Sequence, residues 1–186
     1  MPRVSEEYRA ERRAHILAAA RRCFVRDGFH GTSMQDLVAE AGVSSGALYR
    51  YFPSKDAVIE TIAVENLDEV LGVIRTSIDD GLSAEAAVSA ALDFVTDRHA
   101  EDGFAAIALL VWSEAMRNPV LAGRLRDSLT VAARLLRSPK RPGRDAAAVT
   151  EVLLCVLPGY LMQLALAGPG AVKRIPRTLE KGLGGH

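Results

Sequence analysis

Few residues in this chain are placed to make or break a covalent bond. No nucleophile has a base close by, no glycine-rich loop offers to cradle a phosphate, and no carboxylate pair sits at a matching helical spacing in an apolar context. The four histidines, His15, His30, His99 and His186, form neither HExxH nor any other close pair, so no metal is implied. Cys23 and Cys155 lack CxxC spacing; they suggest no zinc site or disulfide framework and read as core thiols. No cofactor is called for. What remains is noncovalent recognition, concentrated in "GVSSGALYRYFPSK", Gly42 to Lys55. There hydroxyls, a guanidinium and an ammonium are interleaved with Tyr49, Tyr51 and Phe52, in a chain that is only 5% aromatic.

The elements that must position those groups are helices. With 186 residues and 49% hydrophobic content the chain can fill a real core, and no run of alternating polar and apolar residues suggests a sheet, so the fold class is all-α. Ile16, Ala20 and Phe24, with Leu17 beside them, form one apolar stripe on a first helix that Asp27-Gly28 stops. In "GTSMQDLVAEAG" Thr32 is the N-cap candidate, with Gln35 at the capping-box spacing and Gly42 as the stop. Ser44 then caps a helix of barely two turns that Pro53 ends. Two short helices meeting at a tight glycine turn are the pattern of a helix-turn-helix, whose second helix can enter the major groove of DNA.

Ser54 and Asp56 open a long helix through Ile78, and Gly81 and Ser83 mark its end. Further helices are predicted over Ser83–Ala100, Phe104–Arg117, Pro119–Arg137 and Asp145–Ala167. The basic stretch "SPKRPGR", Ser138 to Arg144, reads as a surface loop, and in the tail at most one short helix near Thr178 survives. The apolar run from Val152 to Gly168 is interrupted by Pro158, Gly159 and Gln163, and reads as a buried helix rather than a membrane span. The polar amino terminus does not resemble a secretory signal, which points to the cytoplasm. Formal net charge is zero, yet residues 1–26 carry seven arginines against three glutamates. That excess is either a basic arm or the solvated face of a helix.

Arg12 to Ile62 resembles the amino-terminal DNA-binding domain of the TetR/AcrR family of transcriptional regulators. The likeness rests on "ILAAA" with Phe24, Gly28-Phe29, Thr32-Ser33-Met34 and "AGVSSGALYRYFPSK", in family order and spacing. It implies a three-helix head over 1–54, a connecting helix over 55–80, and a helical ligand-binding and dimerisation domain over 81–186. Leu48 and Phe52, with Val43, should close the head's core. Ser44, Ser45, Ala47, Arg50 and Tyr51 fall on the exposed side of the recognition helix, with Gly46 allowing close backbone approach. Arg50 suits guanine O6 and N7, while Tyr49 resembles the family's phosphate-contacting tyrosine. Ser33 and Gln35 stand where the family meets the DNA backbone, and Lys55 opens the connecting helix at a position suited to a phosphate.

The partners implied are a double-stranded operator, a second copy of the chain and a small lipophilic, weakly anionic inducer. For the homodimer, Leu121, Leu125 and Leu129 of one helix and Val152, Val156, Leu157, Leu161 and Leu164 of the next supply apolar faces, and Pro158-Gly159 should kink the second. For the inducer, Phe94, Phe104, Trp112, Met116 and Tyr160, with Arg98 and His99, line a cavity or are simply core. Two other readings stay open: a helical protein-interaction module that does not bind DNA, and an all-α enzyme.

Overall fold

The computed structural model describes residues 6–137 and 146–183; Arg3, His186 and the "SPKRPGR" loop lie outside them. The described residues are helical, with no strand: α1 (Glu6–Gly31), α2 (Met34–Ala41), α3 (Ser45–Tyr51), α4 (Lys55–Asp79), α5 (Ala84–Asp102), α6 (Phe104–Ala115), α7 (Pro119–Leu136), α8 (Ala146–Ala167), α9 (Pro169–Val172) and α10 (Ile175–Leu183). The chain divides into two compact units, Met1–Ala63 and Val64–His186, so the division falls inside α4.

In the first unit the stripe on α1 is fully sequestered: Ile16, Ala20 and Phe24 have no exposed surface. Phe24 meets Phe29 edge to face at 4.8 Å. Gly28 interrupts α1 with φ 73° and ψ 172°, a backbone that a side chain would strain, and so sets off the last turn. That kink moves the start of α2. Thr32 is buried and donates its hydroxyl to the Gly28 carbonyl at 2.8 Å, leaving Ser33 to cap α2. Asp36, not Gln35, completes the capping box: its amide donates to Ser33 Oγ at 3.2 Å, and its carboxylate accepts from the Ser33 amide at 2.7 Å. Gly42, at φ 60° and ψ 35°, ends α2 in the left-handed conformation, and the Val43 amide returns to the Val38 carbonyl at 3.3 Å.

A seven-residue helix such as α3 is too short to stand on its own propensity. It is held by the Ser44 cap, whose Oγ accepts from the Ala47 amide, and by Leu48 and Phe52, which are 0% and 2% exposed. α4 opens on Ser54, whose Oγ accepts from the Ala57 amide.

In the second unit, α5 packs on α6, α8 and α10, and α6 and α7 pack on α8. Leu92, Val95, Phe104, Leu153, Tyr160, Leu161 and Leu164 form the centre of its core. The tail contributes more than the sequence pattern suggested: Gly168 and Pro169 start a further turn, α9, and Val172 and Leu179 anchor α9 and α10. α8 is helical through Pro158.

Three expectations about α7 and α8 need correction. Leu121, Leu161 and Leu164 are buried inside the protomer, and Leu125, Val156 and Leu157 are half-buried, whereas Leu129 and Val152 are exposed. Val152, Cys155, Gly159, Met162 and Leu166 of α8 face outward, spaced three and four apart, and Glu151, Gln163 and Ala167 are exposed beside them. Cys155 is therefore exposed and not a core thiol. Nor is α8 a fully buried helix. Thr150–Ala167 is long and apolar enough to cross a membrane, with mean hydropathy 1.6, and only 28% of it is buried.

Candidate nucleic-acid interface

The residues of α3 divide cleanly by exposure. Leu48 and Phe52 point into the unit, while Ser44, Ser45, Gly46, Tyr49 and Arg50 are exposed and Ala47 and Tyr51 are half-buried. This follows from helical spacing: with Leu48 and Phe52 one turn apart on the inner face, the positions between them turn outward. Tyr49 is 49% exposed, an uncommon state for so large a ring unless it has something to meet. Nearby on α2, Gln35 is exposed as well.

Several of the expected donors are already engaged. Both Ser33 and Ser44 spend their hydroxyls on capping; Ser33 Oγ also donates to the Asp36 carboxylate at 2.6 Å. Lys55 departs furthest from expectation. Its ammonium donates to the carbonyls of Phe29 at 2.6 Å and Thr32 at 2.8 Å, closing the kinked end of α1 onto the start of α4. A group assigned to phosphate thus works as a structural clamp, because the last carbonyls of α1 need donors that the helix itself cannot supply.

Part of the arginine excess of α1 is paired within the unit. Arg22 Nε donates to Glu40 at 2.7 Å, and Arg26 pairs with Asp27 at 2.9 Å and with Glu40 at 3.4 Å. Arg21 is buried, and the Arg13 guanidinium lies 5.7 Å from the Phe52 ring. His15 Nε2 sits 2.8 Å from the Ala41 carbonyl. These contacts tie α1 to α2 and α3 and hold the α2–α3 turn rigid. The Cys23 thiol is buried, and burial first and then the Glu40 charge push it above its ordinary value, so it is an inert core group.

The same contacts make the unit sensitive to acid. Asp36 is held below its ordinary 3.8 by the Ser33 hydroxyl and then the Ser33 amide, and Glu40 is held below 4.5 chiefly by Arg22. Both carboxyls are lowered in the folded state, so their stabilisation is complete above the ordinary values and is lost as pH falls through the lowered ones. Melting curves between pH 6 and pH 3 should therefore show a Glu40→Gln variant that is less stable than the parent near neutrality, with the difference closing in acid.

Residues 16–62 match the family model for bacterial regulatory proteins of the tetR family. That segment of the chain is similar to the family's regulators. It is 36% identical over 119 residues to the uncharacterized HTH-type transcriptional regulator YfiR of Bacillus subtilis, an alignment covering 63% of this chain and 58% of YfiR. The match thus spans little more than half the length of that relative. Among solved structures, GusR of Salmonella enterica superposes with a TM-score of 0.73 at 26% identity, covering 96% of this chain and 97% of GusR. The regulator FadR of Bacillus subtilis in complex with stearoyl-CoA superposes with a TM-score of 0.70 at 15% identity, covering 91% and 98%, which shows a common fold. YfiR and FadR carry the name of transcriptional regulators.

In the second unit the residues expected around a ligand scatter. Met116 is 82% exposed, and His99 is spent on the α5–α6 joint, where Nδ1 accepts from the Ala105 amide at 3.3 Å. Tyr160 is buried, with its hydroxyl 2.7 Å from Thr96 Oγ1, and burial first raises that phenol above its ordinary value. Phe104 is core, meeting Phe94 edge to face at 6.2 Å, and Trp112 packs half-buried against the same core. Phe94 and Arg98 line a cleft of about 450 Å³, and the rest of its wall comes from α4: Glu69, Gly72, Val73, Thr76 and Ser77. Sequence reasoning missed that wall. Its signal is the recurrence of small or polar residues along one face of an otherwise apolar helix.

Proposed function

We propose that the protein is a ligand-responsive transcriptional regulator, in the main a repressor, acting in the cytoplasm as a homodimer on a pseudo-palindromic DNA operator. The observation that carries this reading is the outward face of α3: Ser45, Gly46, Tyr49 and Arg50 stand exposed on a short helix anchored by buried Leu48 and Phe52. A rigid helix with a guanidinium and a phenol on its outer face suits the major groove, with Arg50 at a guanine edge and Tyr49 at a phosphate. Gln35 and Ser45 are placed to add backbone contacts. The supporting role given to Lys55 is to hold the end of α1 while the groove is read.

Selection of bound sites from a random duplex library tests the proposal. The expected outcome is an inverted repeat with half-sites one helical turn apart, and affinity that falls as salt rises. An enriched pool without symmetry would remove the dimer from the reading. Salt-independent or absent binding would favour the protein-interaction module, a reading that the internal pairing of Arg22 and Arg26 and the zero net charge keep worth testing.

For the dimer, the outward line of α8 is the surface to cover: Val152, Cys155, Gly159, Met162 and Leu166 offer a continuous apolar seam, with Leu129 of α7 also exposed. A Leu166→Glu, Met162→Glu double variant should sediment as a monomer with its helical content intact, because neither side chain is part of the protomer's core. For the effector, the α4–α5 cleft is the candidate site, and its occupation would shift the population between DNA-competent and released states.

A further inference from the structure

The cleft between α4 and α5 lies wholly within the second unit, and its chemistry selects the charge of what it binds; the inference rests on the ligand-responsive reading above. Residues 64–103, which form the later part of α4 and all of α5, hold ten carboxylates against two guanidinium groups, Arg75 and Arg98, a net charge of −8. Asp93 sits above the ordinary carboxylate range, from burial first and then from repulsion by Asp97 and Glu180, with Arg177 opposing. A field of that sign draws cations towards the cleft and disfavours anions.

The ion pairs inside the cleft point the same way. Arg98 on α5 binds Glu69 on α4, donates to Asp102 at 2.6 Å and stands 3.7 Å from Glu101, while its guanidinium lies 5.9 Å from the Phe94 ring and 5.8 Å from that of Phe104. Arg98 therefore has carboxylates and rings to spare, whereas Glu69 is held across the cleft by its ion pair with Arg98. An incoming anion would have to draw Arg98 from Asp102 and Glu101 against the surrounding negative charge. An incoming cation needs only Glu69, and Arg98 keeps its other partners. One cation replaces another at the same carboxylate, so little charge is left unpaired.

We infer that the cleft takes a lipophilic monocation, an ammonium or phosphonium on an apolar body, which binds Glu69 in place of Arg98 and so unfastens the side-chain tie between α4 and α5. Phe94 offers the cation a ring face, and Val73 with the stems around it offers the apolar wall. The tie that is released sits on the same helix that begins at Lys55. This replaces the weakly anionic inducer suggested by the apolar inventory of the sequence.

Tetraphenylphosphonium and tetraphenylborate have nearly the same shape and opposite charge, which suits them to the test. Each is titrated by calorimetry into the full chain and into Glu69→Gln, Arg98→Gln and Val73→Trp variants, with thermal melting to verify that each variant is folded. The phosphonium is expected to bind at least about tenfold more tightly than the borate, and to lose about tenfold in Glu69→Gln. Val73→Trp should block it, and Arg98→Gln, which vacates Glu69, should not weaken it. Preferential borate binding that is lost in Arg98→Gln would overturn the cation assignment while leaving an effector cleft in place. Phosphonium binding indifferent to Glu69→Gln would overturn the proposed exchange. Failure of both ions to bind, or binding indifferent to Val73→Trp, would overturn the cleft as the effector site altogether.

Discussion

A Lys55→Met variant is expected to lose about 2–3 kcal/mol of stability in the first unit, because two charge-assisted hydrogen bonds to the Phe29 and Thr32 carbonyls disappear together. Methionine keeps the length of the stem, so the loss comes from the ammonium and not from packing. The carbonyls left behind lie in the last turn of α1 and just beyond its end, where Gly28 has already broken the regular helical backbone. Chemical denaturation followed by helical circular dichroism would measure the loss. DNA binding separates this role from the one the motif suggested. If Lys55 chiefly neutralised a phosphate, the slope of log affinity against log salt would shrink by about one unit; as a clamp, it should leave the slope unchanged in conditions where the variant is folded.

The second large effect is on sequence preference. Arg50→Ala should lower discrimination by about 1–3 kcal/mol at one base pair in each half-site, roughly five- to 150-fold, while affinity for random duplex changes far less. Arg50 is exposed on α3, so its guanidinium is available to a base edge. Arg50→Lys is the informative companion. It keeps the positive charge but loses the planar fork, so the salt dependence should persist while the preference still falls. Comparing the enriched sequences of the parent and the two variants measures both effects. If Arg50→Lys retained the parent's preference, Arg50 would be a phosphate contact and the reading group would have to be sought elsewhere, with Gln35 next in line.

The two predictions differ in how they could be reached. The outward position of Arg50 was legible from the sequence, because Leu48 and Phe52 four residues apart fix the inner face of so short a helix and force the residues between them outward. The clamp by Lys55 was not, since it joins residues more than twenty positions apart and depends on a kink at Gly28 that a pattern of apolar residues cannot reveal. The shift of the α2 cap from Thr32 to Ser33 has the same origin. Both hydroxyls have the right chemistry, and only the turn after Gly28 decides which is buried against its carbonyl.

Local periodicity was therefore enough to determine that the described residues are helical, close to where their helices turn, and which short helix carries an exposed face between two buried anchors. Tertiary structure decided what the side chains at those positions are free to do. Burial assigned Leu121, Leu161 and Leu164 to the protomer's own core and left Met162 and Leu166 outside, a division that an almost uniformly apolar helix such as α8 does not disclose in its sequence. Pairing joined Arg22 and Arg26 to Glu40 and set Glu69 across from Arg98, and backbone carbonyls engaged the Lys55 ammonium. Residue type specifies which contacts a group can make, but only the approach of distant helices determines which of them it has already made.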